Sequence, residues 1–118
     1  MKILIILNDA PYGTERSYNA LRLAKSLIKH DPEIELTLFL LADAVTCAKK
    51  NQKPPSGYYN IEIMLKSVLR DQNSRLLLCG TCMDARGLTE KELIDGAQRS
   101  DMETLSSATI DADKTLVF

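Results

Sequence analysis

Short, unbroken apolar runs alternate along this chain with longer stretches in which apolar residues recur every three or four positions. The first run, Ile3 to Leu7, is β-branched at Ile3, Ile5 and Ile6, which suits a parallel strand covered on both faces. Asn8-Asp-Ala-Pro11-Tyr-Gly13 breaks it: Pro11 and Gly13 set a turn, and Asn8, Asp9 and Tyr12 place polar groups at the strand's carboxyl end. From Thr14 onward, Ala20, Leu21, Ala24, Leu27 and Ile28 fall at helical spacing, with Arg16, Arg22, Lys25 and Lys29 on other faces. The pattern predicts an amphipathic helix of about four turns. Pro32 closes it, because the residue before a proline is disfavoured in helical geometry.

Glu33 to Leu41 alternates at first and then becomes fully apolar, the mark of a strand that starts exposed and ends buried. Asp43 is placed to cap a short helix through Cys47 and Ala48. The polar stretch from Lys49 to Tyr59, with Pro54, Pro55 and Gly57, is the longest irregular segment, and loops of that size are often functional. Asn60 then caps a second long helix whose buried stripe is Ile61, Met64, Leu65, Val68 and Leu69. Asp71 to Ser74 closes that helix, and Arg75 leads into a strand ending at Cys79.

Past Gly87, Thr89 to Glu92 matches a capping box and predicts a short helix through Leu93 and Ile94. Asp95-Gly96 turns the chain. Ser100 to Glu103 matches a second capping box, opening a helix with Met102, Leu105, Ala108, Thr109 and Ala112 on one side. Lys114 to Phe118 reads as the last strand. Four strands alternating with helices predict an α/β fold, a doubly wound, mainly parallel sheet with helices on both faces.

Composition narrows the class. At 118 residues the chain fits one domain, residues 1–118, with room for a core that needs no staples. With 45% hydrophobic and 26% charged residues it reads as a globular protein, not a disordered one. The net charge is -1 and the basic residues are scattered, which argues against nucleic-acid binding. The apolar start is too short for a membrane span and lacks a signal-peptide layout, so a cytoplasmic protein without membrane contact is expected. Three cysteines, Cys47, Cys79 and Cys82, make a disulfide framework improbable in a chain without secretion signals.

The parallel order puts three joints on one edge of the sheet: Asn8 to Gly13, Ala42-Asp43, and Cys79 to Arg86. In open α/β sheets that carboxyl edge is the binding crevice. Cys79-Gly-Thr-Cys82 therefore places two thiols in a turn or first helical turn, where backbone N–H groups and Arg86 can favour a thiolate. The plain alternative is that both cysteines are small, buried and inert; the pair followed by Arg86-Gly87 favours function. Zinc needs four ligands as a rule, and a second Cys pair is missing, so neither metal nor other cofactor is expected. A thioredoxin-like dithiol is a further alternative, although the motif follows the third strand and has no aromatic lid. Cys47 reads as core, and His30 as a helix-terminal residue favoured by the dipole. Asn8, Asp9, Tyr12 and Asp43 are candidate ligand-binding residues, although Asn and Asp are also ordinary turn formers. No phosphate loop is present.

Asn8-Asp-Ala-Pro-Tyr-Gly13, Leu21-Arg-Leu-Ala24, Leu38-Phe-Leu40 with Asp43-Ala-Val-Thr46, Gln52-Lys-Pro54, Gly57-Tyr58 with Asn60-Ile61, and Cys79-Gly-Thr-Cys82 with Arg86-Gly87 together resemble the YchN-like branch of the DsrE/DsrF-like proteins. The resemblance implies a three-layer α/β sandwich that assembles into a homo-oligomer, a hexamer built as a trimer of dimers. It also implies a sulfur relay, in which a cysteine persulfide takes sulfur from a donor protein and passes it to an acceptor protein. In such relatives the thiol precedes Arg-Gly at a fixed interval, which singles out Cys79 as the acceptor, with Cys82 as a partner or resolving thiol and Arg86 favouring the anion. A different class of function, a non-catalytic oligomeric module binding a small ligand or partner protein in the same crevice, is the alternative expectation.

Overall fold

The computed structural model describes residues 1–118. Its elements are β1 (Lys2–Leu7), α1 (Arg16–His30), β2 (Glu35–Leu40), a 3-10 segment (Ala42–Ala48), α2 (Ile61–Leu69), β3 (Ser74–Cys79), α3 (Gly80–Ala85), a 3-10 turn (Glu90–Glu92), β4 (Ala97–Ser100), α4 (Met102–Asp111) and β5 (Lys114–Val117). The strands form one sheet in the order β4-β3-β2-β1-β5, and every neighbouring pair is parallel. Successive steps from β1 to β4 run one way across the sheet, so right-handed crossovers put their connections on one face. The return from β4 to β5 places α4 on the other. This is the doubly wound α/β arrangement expected from the sequence.

The apolar runs of the first three strands form the middle of the sheet, where Leu4, Ile5, Leu7, Leu38, Phe39, Leu40, Leu76 and Leu78 are essentially inaccessible. α1 contributes Ala20, Leu21 and Ala24 to this core, and α2 contributes Ile61, Leu65 and Val68. The alanines let α1 lie close to the sheet. Asn60 caps α2 as expected, its Oδ1 accepting the Ile63 N–H at 3.1 Å. His30 lies in the last turn of α1, and Cys47 is fully buried.

Several expectations change. The sheet has five strands: β4, Ala97–Ser100, fills what reads in the sequence as the approach to a helix. Ser100 is its last residue, so Asp101 caps α4 instead, its Oδ1 accepting the Thr104 N–H at 2.8 Å. The segment led by Asp43 is 3-10 rather than α, with Leu41 at its capping position and no side-chain cap. At Thr89, Glu92 does reach back to the Thr89 N–H at 3.1 Å, but the helix stops at a single 3-10 turn. The residues after Cys79 form a short helix, α3.

The loop from Lys49 to Tyr59 is tied to its own chain. Buried Glu62 accepts the Gln52 N–H at 2.8 Å and pairs with Lys66 at 2.9 Å. Gln52 in turn accepts the Tyr12 hydroxyl at 2.7 Å, and Tyr59 stacks on Tyr18 with ring centroids 4.3 Å apart. No helix is long and apolar enough to cross a membrane.

Candidate functional site

The strand registers carry one row of residues along the carboxyl edge. Leu7 pairs with Leu40, Leu40 with Leu78, and Cys79 with Ser100. The joint after β1, the joint after β2 and the thiol motif therefore emerge side by side. α3 starts directly from Cys79, because the chain turns at Gly80 without leaving the sheet edge.

Cys79 takes the capping position of α3. Its Sγ accepts the Cys82 N–H at 3.3 Å and lies 3.3 Å from the Thr81 hydroxyl. Burial pushes this thiol up, but the Cys82 thiol, the Thr81 hydroxyl and the N–H groups of Cys82 and Thr81 more than offset it, so Cys79 ionises more readily than an ordinary cysteine. Cys82 behaves in the opposite way. Burial, with an added push from Cys79, raises it, while the Ala42 N–H and the charge of Arg86 pull against the rise. Of the two thiols Cys79 is therefore the first to become a thiolate, the form that acts as nucleophile.

The second thiol is gripped by the joint after β2. The Ala42 N–H donates to Cys82 Sγ at 3.3 Å. Ala42 does so with φ at 51°, a left-handed conformation unfavourable for any residue with a Cβ and typical of functional sites. Next to it, Asp43 accepts Arg86 Nε at 2.8 Å and Nη2 at 2.8 Å, while Arg86 Nη1 donates to the Cys82 carbonyl at 3.0 Å. Arg86 thus belongs to Cys82 and Asp43. The hydrogen bonds that favour the Cys79 anion come from Thr81 and Cys82, where the sequence reading gave part of that role to Arg86.

A cleft of about 510 Å³ opens on Cys79, lined also by Phe39, Leu41, Thr81, Arg99 and Ser100. Cys82 does not border it. Arg99 went unnoticed in the sequence. Its guanidinium makes two 2.8 Å bonds to Asp84, and it lies so close over Gly80 that a Cβ there would stand 2.8 Å from Cζ. Only glycine at position 80 leaves room for that cation beside the thiol. The readable signal was the glycine next to the first cysteine; the arginine came from a strand the sequence did not reveal.

The other candidates are held elsewhere on the edge. The Asn8 side chain donates to the Phe118 carbonyl at 3.4 Å. Asp9 accepts the Thr14 hydroxyl at 2.9 Å and lies 3.7 Å from Arg16. Tyr12 spans from Gln52 to the Ile61 N–H, 3.2 Å away. These three anchor the first turn and the Lys49 to Tyr59 loop, and they do not line the cleft beside Cys79. Cys47 is locked in the core, its thiol 3.7 Å from the Ser17 hydroxyl and pushed by burial up to about 12. A second hollow of about 430 Å³ lies at the amino ends of the strands, around Lys2, Glu35, Asn73 and Arg75. It contains no cysteine. No group of three or more Cys, His, Asp or Glu side chains is placed to hold a metal ion.

Among known proteins, the chain is 45% identical over 117 residues to the protein YchN of Escherichia coli, covering 99% of this chain and 98% of that one. An uncharacterised protein of Methanocaldococcus jannaschii is 36% identical over 118 residues, with both chains covered completely. The crystal structure of the Escherichia coli ychN protein superposes with a TM-score of 0.92, covering 99% of this chain and 98% of that one at 45% identity. A protein of unknown function from Methanobacterium thermoautotrophicum shares the fold at a TM-score of 0.77 and 12% identity, covering 99% and 97%. With a family model matching residues 1–118 and these relatives along its whole length, the chain belongs to the DsrE/DsrF-like family.

Proposed function

We propose that this protein is a sulfur carrier in which Cys79 accepts sulfur as a persulfide and passes it on. The observation that carries the proposal is the placement of Cys79. It stands at the carboxyl end of β3 on an open cleft, with hydrogen bonds that favour its thiolate and the Arg99 cation beside it. A thiolate can take the outer sulfur of a persulfide by displacement, and the cleft gives that sulfur room. Family membership supports the relay reading at the level of the fold. Donor and acceptor would be other proteins or small thiols that reach the cleft. The protein would act in the cytoplasm as a single domain assembled into a homo-oligomer, a hexamer by resemblance. Exposed Ile63, Met102, Ile110 and Val117 supply apolar surface for such contacts.

The test is incubation with a persulfide donor followed by mass spectrometry. Wild type is expected to gain sulfur or to release it as sulfide, and Cys79→Ser to do neither. If neither wild type, Cys79→Ser nor Cys82→Ser gains sulfur or releases sulfide, the relay reading fails. A non-catalytic binding module is the second reading, favoured by the mixed polar and apolar lining of the cleft. It requires Cys79 to titrate like a free thiol, near ~8.5, and Cys79→Ser to leave ligand binding intact.

A further inference from the structure

The two thiols are not equivalent, and the difference is built into the joint after β2. Cys79 borders the cleft and Cys82 does not. Outside the cleft, the sulfur of Cys82 receives the Ala42 N–H at 3.3 Å from a residue held at a φ of 51°. Arg86, fixed by Asp43 at 2.8 Å, lies against the Cys82 carbonyl at 3.0 Å. The Ala42 N–H on the sulfur and the Arg86 charge nearby make a site that favours the Cys82 anion against the burial that raises this thiol. Nothing in the sulfur-accepting role of Cys79 uses that site.

Resting on the relay reading, we infer that Cys82 is a resolving thiol: it attacks the inner sulfur of a Cys79 persulfide and expels the outer sulfur into the cleft as hydrosulfide. The Cys82 proton passes to the outer sulfur, and the new bond joins Cys82 Sγ to Cys79 Sγ. The bond from Cys79 Sγ to the outer sulfur breaks, and its electron pair leaves with HS⁻. Two thiols are oxidised to a disulfide while the sulfane sulfur is reduced to sulfide, so the step needs no external oxidant. Displacement at sulfur proceeds in line. The leaving sulfur has the cleft on its side of Cys79, while the attacking thiol stands outside the cleft. With the negative charge moved to the outer sulfur, the push of a Cys79 thiolate on Cys82 is removed; burial still disfavours a free Cys82 anion, so its proton passes to the outer sulfur as the Ala42 N–H and the Arg86 charge favour the developing anion.

The consequence for the reaction sequence is definite. The step that follows must supply a reducing thiol or dithiol, which opens the Cys79–Cys82 disulfide and restores the acceptor. Where no acceptor thiol takes the sulfane sulfur first, the product released is sulfide.

The experiment loads the fully reduced protein with glutathione persulfide, removes the donor by rapid desalting, and follows sulfide and protein mass with no thiol added. Wild type is expected to release one sulfide per chain loaded and to become two hydrogens lighter than its reduced form, with Cys79 and Cys82 closed to alkylation. Cys82→Ser and Cys82→Ala are expected to keep the added sulfur at Cys79 at least ~10-fold longer, as for a persulfide with no internal attacking thiol. Wild type holding its sulfur as long as both Cys82 variants overturns the inference and leaves the carrier reading standing. Loading of no variant, with no sulfide released, is instead the failure of the carrier reading itself. Arg86 acts here as a positioning residue. In Arg86→Gln the pH midpoint of sulfide release is expected to move upward, whereas a slower release at an unchanged midpoint removes Arg86 from the step.

Discussion

At the residue scale the site is a set of unequal thiols made unequal by their neighbours. Cys79 is held below the ordinary cysteine range, Cys47 is pushed to about 12, and Cys82 is raised. Alkylation of the native protein is therefore expected to modify Cys79 with a midpoint below the free value of ~8.5. Reactivity fades as the pH falls through that lowered value, because the thiolate is then protonated. Cys47 should stay unmodified until the protein unfolds, which peptide mapping after a timed iodoacetamide pulse will read. Gly80 gives a second prediction. In Gly80→Ala the new Cβ meets the Arg99 guanidinium, the end of a flexible side chain, so Arg99 should swing away from Asp84 while the fold persists. Exposed ion pairs of this kind contribute little to stability; the urea midpoint should barely move while the rate of sulfur loading falls. The dithiol, its place on the edge and the buried Cys47 were all legible in the sequence. Ala42 was not, since an alanine carries no sign that its φ is positive, and neither was Arg99.

At the element scale, legibility followed burial. β1, β2 and β3 announce themselves as apolar runs because both faces of the middle of the sheet are covered. α1 and α2 do so through their apolar stripes. Ala97-Gln-Arg-Ser100 has no apolar alternation, since β4 is an edge strand whose side chains are half-buried or exposed, and a pattern-based reading passes over it. Its omission explains both the displaced cap at Asp101 and the unseen Arg99. Between the elements, the long loop depends on Glu62. Burial raises this carboxyl, but the Lys66 ammonium and the N–H groups of Gln52 and Asn51 outweigh it and hold it below the usual range. A carboxyl with a lowered folded pKa adds stability that is present above the unfolded value of ~4.3 and is lost as the pH falls through the folded one. Glu62→Gln is accordingly expected to cost about 1–2 kcal/mol at neutral pH. Urea titrations at pH 7 and pH 3 will show whether the gap to wild type closes in acid, as this pairing requires.

At the scale of the whole molecule, one parallel sheet sets both the core and the site. β2 lies at its centre between β3 and β1, and Leu38 within it is fully buried. Leu38→Ala is expected to cost about 2–5 kcal/mol in urea unfolding, the range for a leucine removed from a packed core. A cost well under that range would mean the sheet centre relaxes around the gap. The strand order, by contrast, could not be read from the sequence. A four-strand count leaves open how the last strand joins, and only the return of the chain past three strands, through α4, sets β5 beside β1.

That last pairing has a practical consequence. β5 runs parallel to β1, and the Asn8 N–H bonds the Phe118 carbonyl at 3.0 Å, so residue 118 emerges on the thiol edge while residue 1 lies at the opposite end of the sheet. Three strand spacings separate β5 from β3, about 14 Å at ~4.8 Å each. An affinity tag or fluorophore fused after Phe118 would stand within reach of the cleft and compete with any docking protein. The same label fused before Met1 would point away from it, and fishing for donors and acceptors is best done with the handle there.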